Sequence, residues 1–273
     1  MSGKLYLVGT PIGNLGDLSP RAAETLRNVD FIAAEDTRVT VKLLNHLGIK
    51  KPMLSYYEHN KKERGGEIIS RLLLGEDCAL VTDAGMPAIS DPGEDMVKLA
   101  YENNIKVESV PGPSAVITAL AMSGMPSGRF TFEGFLTMNK AGRRVHLNEL
   151  KTEKRTMIFY EAPHKLLATL KDMLSAFGNR EIALVRELTK IHEEVIHTTL
   201  GNAVETYSEK EPRGEFVLIL AGATEEKRVY SLEEAVTLAK EFCEKGESAS
   251  FAAKKAAEIT GIKKGDIYKG LSL

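Results

Sequence analysis

The chain has 273 residues, with 36 basic and 38 acidic side chains, a formal net charge of −2, and 43% hydrophobic and 27% charged residues. This length leaves room for two domains with cores of their own, so the composition excludes disorder, collagen and coiled coil as the main state and calls for no disulfide or metal staple. The near-neutral total excludes a uniformly basic coat and leaves nucleic-acid recognition to local patches.

Residues 4–8 (KLYLV) read as a buried strand that runs straight from the start of the chain, unlike a secretory leader. The loop Gly9-Thr10-Pro11-Ile12-Gly13-Asn14-Leu15-Gly16-Asp17 follows, and Ser19-Pro20 gives a cap and a first-turn proline for a helix over 21–28. A strand over 30–34, a helix over 39–47 stopped by Gly48, a helix over 63–74 stopped by Gly75, a strand over 78–81, a helix over 95–102 and a strand over 106–110 complete the first part. Strands separated by helices at this spacing predict a parallel sheet covered on both faces. Pro111-Gly112-Pro113-Ser114 breaks the pattern before a helix over 115–122, and the domain boundary is expected near 112–122. Strands over 130–136, 156–160, 181–185, 193–200 and 216–220, with helices over 143–150 and 165–175, predict a second, mixed sheet. A charged linker over 223–228 leads to helices over 231–244, 248–259 and 264–271, a small appendage of helix-turn-helix type with Gly261 at the bend.

Cys78 and Cys243 lie in apolar settings and read as buried free thiols. No histidine or cysteine spacing matches a zinc site, and no apolar run approaches the ~18 residues of a membrane helix. No metal, no membrane attachment and a cytoplasmic setting are therefore expected.

Three loops stand at the carboxyl ends of predicted parallel strands, where open sheets bind ligands. The first, Gly9-x-x-x-Gly13-x-x-Gly16, lacks both the G-x-G-x-x-G spacing and a P-loop lysine; a dinucleotide site, a tight turn and another ligand loop stay open for it. The second, Thr82-Asp83-Ala84-Gly85-Met86-Pro87-Ala88-Ile89-Ser90-Asp91-Pro92-Gly93, offers small and rigid residues for close approach and a carboxylate to accept hydrogen bonds. The third, Pro111-Gly112-Pro113-Ser114-Ala115, presents free amides at a helix start. A connecting turn or a helix cap explains each singly, whereas three together predict one shared edge. In the second half, Tyr160-Glu161-Ala162-Pro163-His164-Lys165 and Arg186-Glu187-Leu188-Thr189-Lys190 follow strong strands, and Glu211-Pro212-Arg213-Gly214-Glu215 precedes the last one.

Together with Ala34-Glu35-Asp36-Thr37-Arg38 and Gly214-Glu215-Phe216-Val217-Leu218, these segments resemble the tetrapyrrole methylase superfamily, and within it the small-subunit ribosomal RNA 2′-O-methyltransferase I family, over residues 4 to about 222. The resemblance implies an α/β fold class: two α/β domains of tetrapyrrole-methylase type, 1–115 and 116–222, with S-adenosylmethionine in the cleft between them, then a helical appendage over 223–273. It also implies a homodimer acting on a cytidine ribose of small-subunit (16S) ribosomal RNA, as naked RNA or as the assembled subunit. By position, Pro11, Asp83, Ala84, Gly85, Pro87, Ile89, Ser114 and Ala115 would hold the cofactor, closed over by Tyr160, Leu188 and Gly214. Tetrapyrrole-acting members usually carry Gly-Asp-Pro where this chain has Asp83-Ala84-Gly85, which argues against a porphyrinoid substrate.

A ribose hydroxyl must lose its proton during transfer, and a general base typically supplies ~10²–10⁴-fold. Glu35, Asp36, Glu187 and Lys190 are the candidates, with Glu187 or Lys190 expected to face the methyl group and Arg38 to grip RNA. Basic clusters at 50–64, 140–165 and 254–269 predict a phosphate track that includes Arg143, Arg144 and Lys165. A solvated helix face explains any one of the clusters. Other readings are tetrapyrrole C-methylation, a non-catalytic ribosome-binding module, and a nicotinamide oxidoreductase built on the first glycine loop and Glu35.

Overall fold

The structure, a computed structural model, describes residues 2–224 and 230–271. The chain divides into two compact units, Met1–Ala223 and Thr224–Leu273.

The first unit begins with a five-stranded sheet of β1 (Lys4–Val8), β2 (Phe31–Ala34), β3 (Met53–Ser55), β4 (Cys78–Val81) and β5 (Lys106–Val110), parallel throughout in the order β3-β2-β4-β1-β5. β2 and β4 are buried along their whole length, as strands covered on both faces must be. The covering helices are α1 (Pro20–Asn28), α2 (Thr37–His46), α3 (Lys61–Leu73) and α4 (Gly93–Glu102). Leu26 and Leu44 pack on Ile32 and Val81 at one face; Ile68, Leu72 and Met96 pack on Phe31 and Leu80 at the other. The Ser19 side chain accepts the Ala22 N–H at 3.0 Å, with Pro20 at the first helical position, so α1 starts one residue ahead of the predicted helix.

The second sheet holds β6 (Phe130–Phe135), β7 (Thr156–Glu161), β8 (Glu181–Arg186), β9 (Glu194–Thr199) and β10 (Phe216–Leu220) in the order β6-β7-β10-β8-β9. β6 and β7 are parallel and the other pairs antiparallel, which is the mixed sheet predicted. Helix α5 (Ala115–Met122) lays Val116, Ala119 and Leu120 on one face, against Ile158, Ala183, Val217 and Ile219. On the other face, α6 (Lys140–Glu149), α7 (Pro163–Phe177) and α8 (Leu200–Glu209) bring Leu147, Leu166, Leu170 and Ala203 onto Phe159, Leu184 and Leu218.

Two elements depart from the pattern reading. β3 is a three-residue edge strand, too short to show alternation. Strand β9 stops at Thr199, whose side chain accepts the Asn202 N–H and starts α8, so Leu200 opens a helix instead of ending a strand. Cys78 is buried as expected, whereas Cys243 is half-buried.

The second unit consists of α9 (Leu232–Glu244), α10 (Ala249–Thr260) and α11 (Lys264–Leu271). Ser231 and Glu234 form a capping box at the start of α9. The core is Ala235, Ala239, Ala252, Ala253 and Ala256 around Ile267, small side chains that let three short helices close together. Gly261, at φ 72°, ends α10. Of the linker expected over 223–228, residues 225–228 lie outside the described residues. Among the described residues, no helix is long and apolar enough to cross a membrane.

Candidate active site between the two sheets

The three loops of the first sheet meet at its carboxyl edge. The Gly9 N–H donates to the Val110 carbonyl at 3.0 Å, and Thr10 and Gly85 exchange backbone hydrogen bonds of 2.9 and 3.1 Å. A Cβ on Gly9 would stand 2.7 Å from Cα of Gly112, so the first and third loops touch backbone to backbone. This close approach is what the glycines at 9 and 112 permit.

The second loop is strained and pinned. Ala88 and Ser90 have φ of 69° and 66°. The Asp91 carboxylate accepts the N–H groups of Ala88, Ile89 and Gly93 at 2.9, 3.1 and 2.8 Å, which holds those conformations in place. Pro87 is buried beneath the loop and Ile89 is exposed on it.

Three carboxylates gather beside this loop. Glu35, just past β2, accepts the Thr82 hydroxyl at 2.5 Å and the Asp83 N–H at 3.4 Å, and Asp83 accepts the Asp36 N–H at 3.0 Å. Burial, with the Glu35 charge beside it, pushes the Asp83 carboxyl above the usual range. Asp36 is committed elsewhere: it caps α2 and chelates Arg38 through Nε at 3.0 Å and Nη2 at 2.7 Å. The Arg38 side chain and amide hold its carboxyl down at about 2.

The second sheet supplies the facing wall. Tyr160 stands between Phe132 and Phe135, at ring-centroid distances of 5.0 and 5.4 Å, and burial pushes its hydroxyl up to about 12. The next residue, Glu161, is buried and accepts the Thr169 hydroxyl and the Ala162 amide. After β8 the chain turns sharply, with Glu187 at φ 52° and Thr189 at φ 64° around the buried Leu188. The Glu187 carboxylate accepts Lys190 Nζ at 3.0 Å and the Glu215 N–H at 3.1 Å; Nζ also reaches the Glu215 carboxylate at 2.9 Å. Gly214, at φ 82°, passes so close to Glu187 that a Cβ would stand 2.5 Å from its Cγ.

Between these walls lies a cavity of about 470 Å³. From the first sheet's side, Ile12, Glu35, Thr82, Asp83, Ala84 and Ile89 line it; from the second, Tyr160, Glu161, Leu188, Glu215 and Val217, with Ala115 at the start of α5. The predicted Glu35, Asp83, Ala84, Ile89, Ala115, Tyr160 and Leu188 thus come together. Pro11 lines an adjoining hollow that shares Thr82 and Asp83, Gly85 and Pro87 shape the loop from beneath, and Ser114 stands just before α5. Thr82, Asp91, Phe135, Glu161 and Glu215 also belong to the site and were not singled out from sequence. Thr82, Asp91, Glu161 and Glu215 lie within the quoted motifs and Phe135 within the strand read over 130–136, but none carried a signal that set it apart from its neighbours.

Three of the predicted residues, Glu187, Lys190 and Arg143, are engaged by neighbouring side chains. Neither Glu187 nor Lys190 lines the cavity. Burial works against the charge on Lys190, yet the hydrogen bonds with Glu215 and Glu187 outweigh it and raise its pKa. For Glu187, burial is likewise outweighed by Lys190 and the Glu215 amide, and its carboxyl sits below the ordinary glutamate value. Arg143 is not a free cation either: its guanidinium meets Asp172 of α7 at 2.5 Å, with 12% of the side chain exposed. Arg144 is exposed, Lys165 half-buried in the first turn of α7, and Arg38 is 88% exposed beyond its tie to Asp36.

A family model described as Tetrapyrrole (Corrin/Porphyrin) Methylases matches residues 4–204. Ribosomal RNA small subunit methyltransferase I of Synechocystis sp. is 47% identical over 269 residues, 98% of this chain and 96% of that protein. The protein of the same name from Thermotoga maritima is 49% identical over 220 residues, 81% of this chain and 99% of its own length. Among solved structures, uroporphyrin-III C-methyl transferase from Thermus thermophilus complexed with S-adenyl homocysteine superimposes with a TM-score of 0.58 at 20% identity, over 80% of this chain and 97% of that one. Diphthine synthase does so with a TM-score of 0.62 at 14% identity, over 81% and 91%. These structures share the fold of the two sheets, and the near full-length sequence matches narrow the assignment. The chain belongs to the tetrapyrrole methylase family and, within it, to the ribosomal RNA small subunit methyltransferase I proteins.

Proposed function

We propose that this chain is an S-adenosylmethionine-dependent methyltransferase that 2′-O-methylates a cytidine ribose in small-subunit ribosomal RNA. The observation that carries the reading is a cavity lined by loops of both sheets in a chain 47% identical to a protein named for that RNA.

The residues present fit the cofactor. About 470 Å³ is within the usual range for a small-molecule site, ~300–1,000 Å³. Ile12, Ala84, Ile89, Ala115, Leu188 and Val217 offer apolar walls to a flat base, and Glu35 and Asp83 offer acceptors to hydroxyls and a positively charged donor. When bound, the cofactor supplies a methyl group already activated on a sulfonium. The chain's own task is alignment, worth up to ~7–11 kcal/mol when the reacting atoms are held near attack distance, and removal of the hydroxyl proton. Tyr160 and Leu188 shield the cavity from water. Glu35 and Asp83 are the carboxylates that line the cavity next to one another, so proton acceptance is assigned to this pair in preference to Glu187, Lys190 or Asp36.

Residues 1–115 and 116–222 are read as two lobes that share the site, with 223–273 as an addition. A relative whose own length is 99% covered by 81% of this chain supports a methyltransferase without such an addition. A homodimer in the cytoplasm, working on the naked RNA or the assembled small subunit, belongs to the same reading. Titration calorimetry with S-adenosylmethionine, radiolabel transfer to small subunits with nucleoside analysis, and sedimentation of the full chain test it. Micromolar binding and label on a ribose are expected. No heat with the cofactor, or label on a tetrapyrrole and none on RNA, overturns the reading.

A further inference from the structure

A second hollow, of about 290 Å³, opens at the same edge of the second sheet and is lined by Arg186, Tyr207, Lys210, Glu211, Arg213 and Phe216. Phe216 lines both this hollow and the larger cavity, so the two are neighbours across one ring. Arg186 is the last residue of β8, immediately before the Glu187 turn, and Arg213 immediately precedes Gly214. The elements that close the cavity thus carry these cations on their flanks.

The lining holds three cations and one carboxylate, in a chain whose total charge is slightly negative. Glu194 engages Nε of Arg186 at 2.6 Å and the Arg213 carbonyl accepts from Nη1 at 3.4 Å, which leaves the other arm of the guanidinium fork available. Glu211 stands 4.0 Å from Arg213 with both side chains 83% exposed, a screened pair that yields readily to a better anion. Tyr207 is buried and packs edge-on against Phe216 at 5.9 Å. Burial raises its pKa, so its hydroxyl stays a donor at neutral pH. Two guanidinium groups, an ammonium and a phenol suit a tetrahedral oxyanion, and Arg in particular matches phosphate with paired hydrogen bonds.

We propose that this hollow holds a backbone phosphate of the RNA strand beside the target nucleotide, so that Arg186, Lys210 and Arg213 set the register of the acceptor ribose over the cavity. The proposal rests on the reading of RNA as the substrate. A bound phosphodiester neighbour one ring away from the cavity fixes which sugar enters it, which is the positioning role phosphate contacts play in nucleic-acid recognition.

The test uses the full chain with the double substitution Lys210→Ala/Arg213→Ala, both at exposed positions. A matched control, Arg27→Ala/Lys98→Ala, removes the same charge from the exposed surface of the first sheet's helices, outside the three basic clusters. Binding of a small-subunit ribosomal RNA fragment that the wild type methylates is followed by fluorescence anisotropy at three salt concentrations, and cofactor binding by calorimetry. The substitution at 210 and 213 is expected to weaken RNA binding at least ~10-fold, to lower the slope of log affinity against log salt by about 0.7–0.9 per lost contact, and to raise KM for RNA with cofactor affinity within twofold. The control is expected to lose less than threefold. Unchanged RNA affinity and slope, an equal loss in the control, or a loss confined to cofactor affinity each overturns the phosphate site while RNA methylation stands. A wild type that neither binds nor methylates the RNA overturns the parent reading, and this site with it.

Discussion

A Cβ placed on Gly13 would stand 2.6 Å from Cγ of Lys190 and 2.8 Å from the Leu188 carbonyl oxygen. The first glycine loop of one sheet and the turn after β8 of the other are therefore in contact, with no room for a methyl group. The contact places Ile12 and Leu188, neighbours of these two residues, on one cavity wall.

Gly13→Ala forces one of the two loops to move, because the Leu188 carbonyl is backbone and cannot rotate away. Overpacking of this kind costs about 1–3 kcal/mol. The melting temperature is expected to drop by several degrees, and S-adenosylmethionine affinity by about tenfold or more, since 1.4 kcal/mol is one decade. Thermal denaturation and calorimetry on the same preparation measure both. A variant with wild-type cofactor affinity would show that the contact does not shape the cavity.

The Glu187–Lys190–Glu215 cluster acts as a clamp, and its titration sets when the clamp is closed. The Lys190 pKa is raised, so its contribution is complete below the ordinary lysine value and lost only as pH rises through the still higher folded value. The Glu187 pKa is lowered, so its contribution is complete above the ordinary glutamate value and lost as pH falls through the lower folded one. Cofactor affinity should be flat from pH 6 to 9 as far as this cluster is concerned. Lys190→Gln is expected to weaken cofactor binding without moving the pH–rate profile, because a positioning cation is removed and no titrating base is lost. A displaced profile in that variant would return Lys190 to a direct role in proton transfer.

Much of this arrangement is legible in the sequence. Ser19-Pro20 announced α1, and the glycine and proline loops after β1, β4 and β5 announced where the chain would come together beside a cavity, because only such residues allow the backbone approach seen between Gly9 and Gly112. The paired state of a charged side chain was not legible. Lys190 and Arg143 look like free cations in a string of letters, and only tertiary packing brings Glu215 to one and Asp172 to the other. The same holds for Asp91, whose three amide bonds depend on a loop conformation with two residues in the left-handed region. The short β3 and the helix after Thr199 escaped for a different reason, since neither carries a hydrophobic period long enough to identify it.

Asp83 is maintained at a cost to stability. Burial and the Glu35 charge raise its pKa, so the folded chain holds this proton more tightly than the unfolded one. The ionised carboxylate therefore works against the fold: the effect is absent below the ordinary aspartate value, grows as pH rises from there to the raised folded value, and is complete above it. Asp83→Asn removes the charge and keeps an oxygen for the Asp36 N–H. The variant is expected to melt ~1–3 °C above the wild type at pH 7, with the gap closing below pH 4, while methyl transfer falls by at least ~10²-fold. Melting curves at the two pH values and a single-turnover methylation assay decide it. A gap that persists unchanged at low pH would remove the electrostatic explanation, and full activity would remove Asp83 from the site.

Arg143 and Arg144 are adjacent in sequence and differ in what they touch, so alanine at each separates packing from RNA contact. Arg143 joins α6 to α7 through Asp172, and its Nε is buried without a hydrogen-bond partner among the described residues. Arg143→Ala leaves Asp172 unpaired at the helix interface and is expected to destabilise the chain by about 1–2 kcal/mol, a value between exposed and buried ion pairs. Arg144 is exposed, and its replacement should stay within about 0.5 kcal/mol of wild type. If Arg144 belongs to the phosphate track, Arg144→Ala weakens RNA binding at low salt and the loss shrinks as salt is added. Urea denaturation of both variants, with anisotropy on the same RNA fragment, gives the comparison. Equal stability for the two would show that the Asp172 bridge carries no net weight, and a larger loss of RNA affinity in Arg143→Ala than in Arg144→Ala, at matched stability, would return Arg143 to the RNA surface.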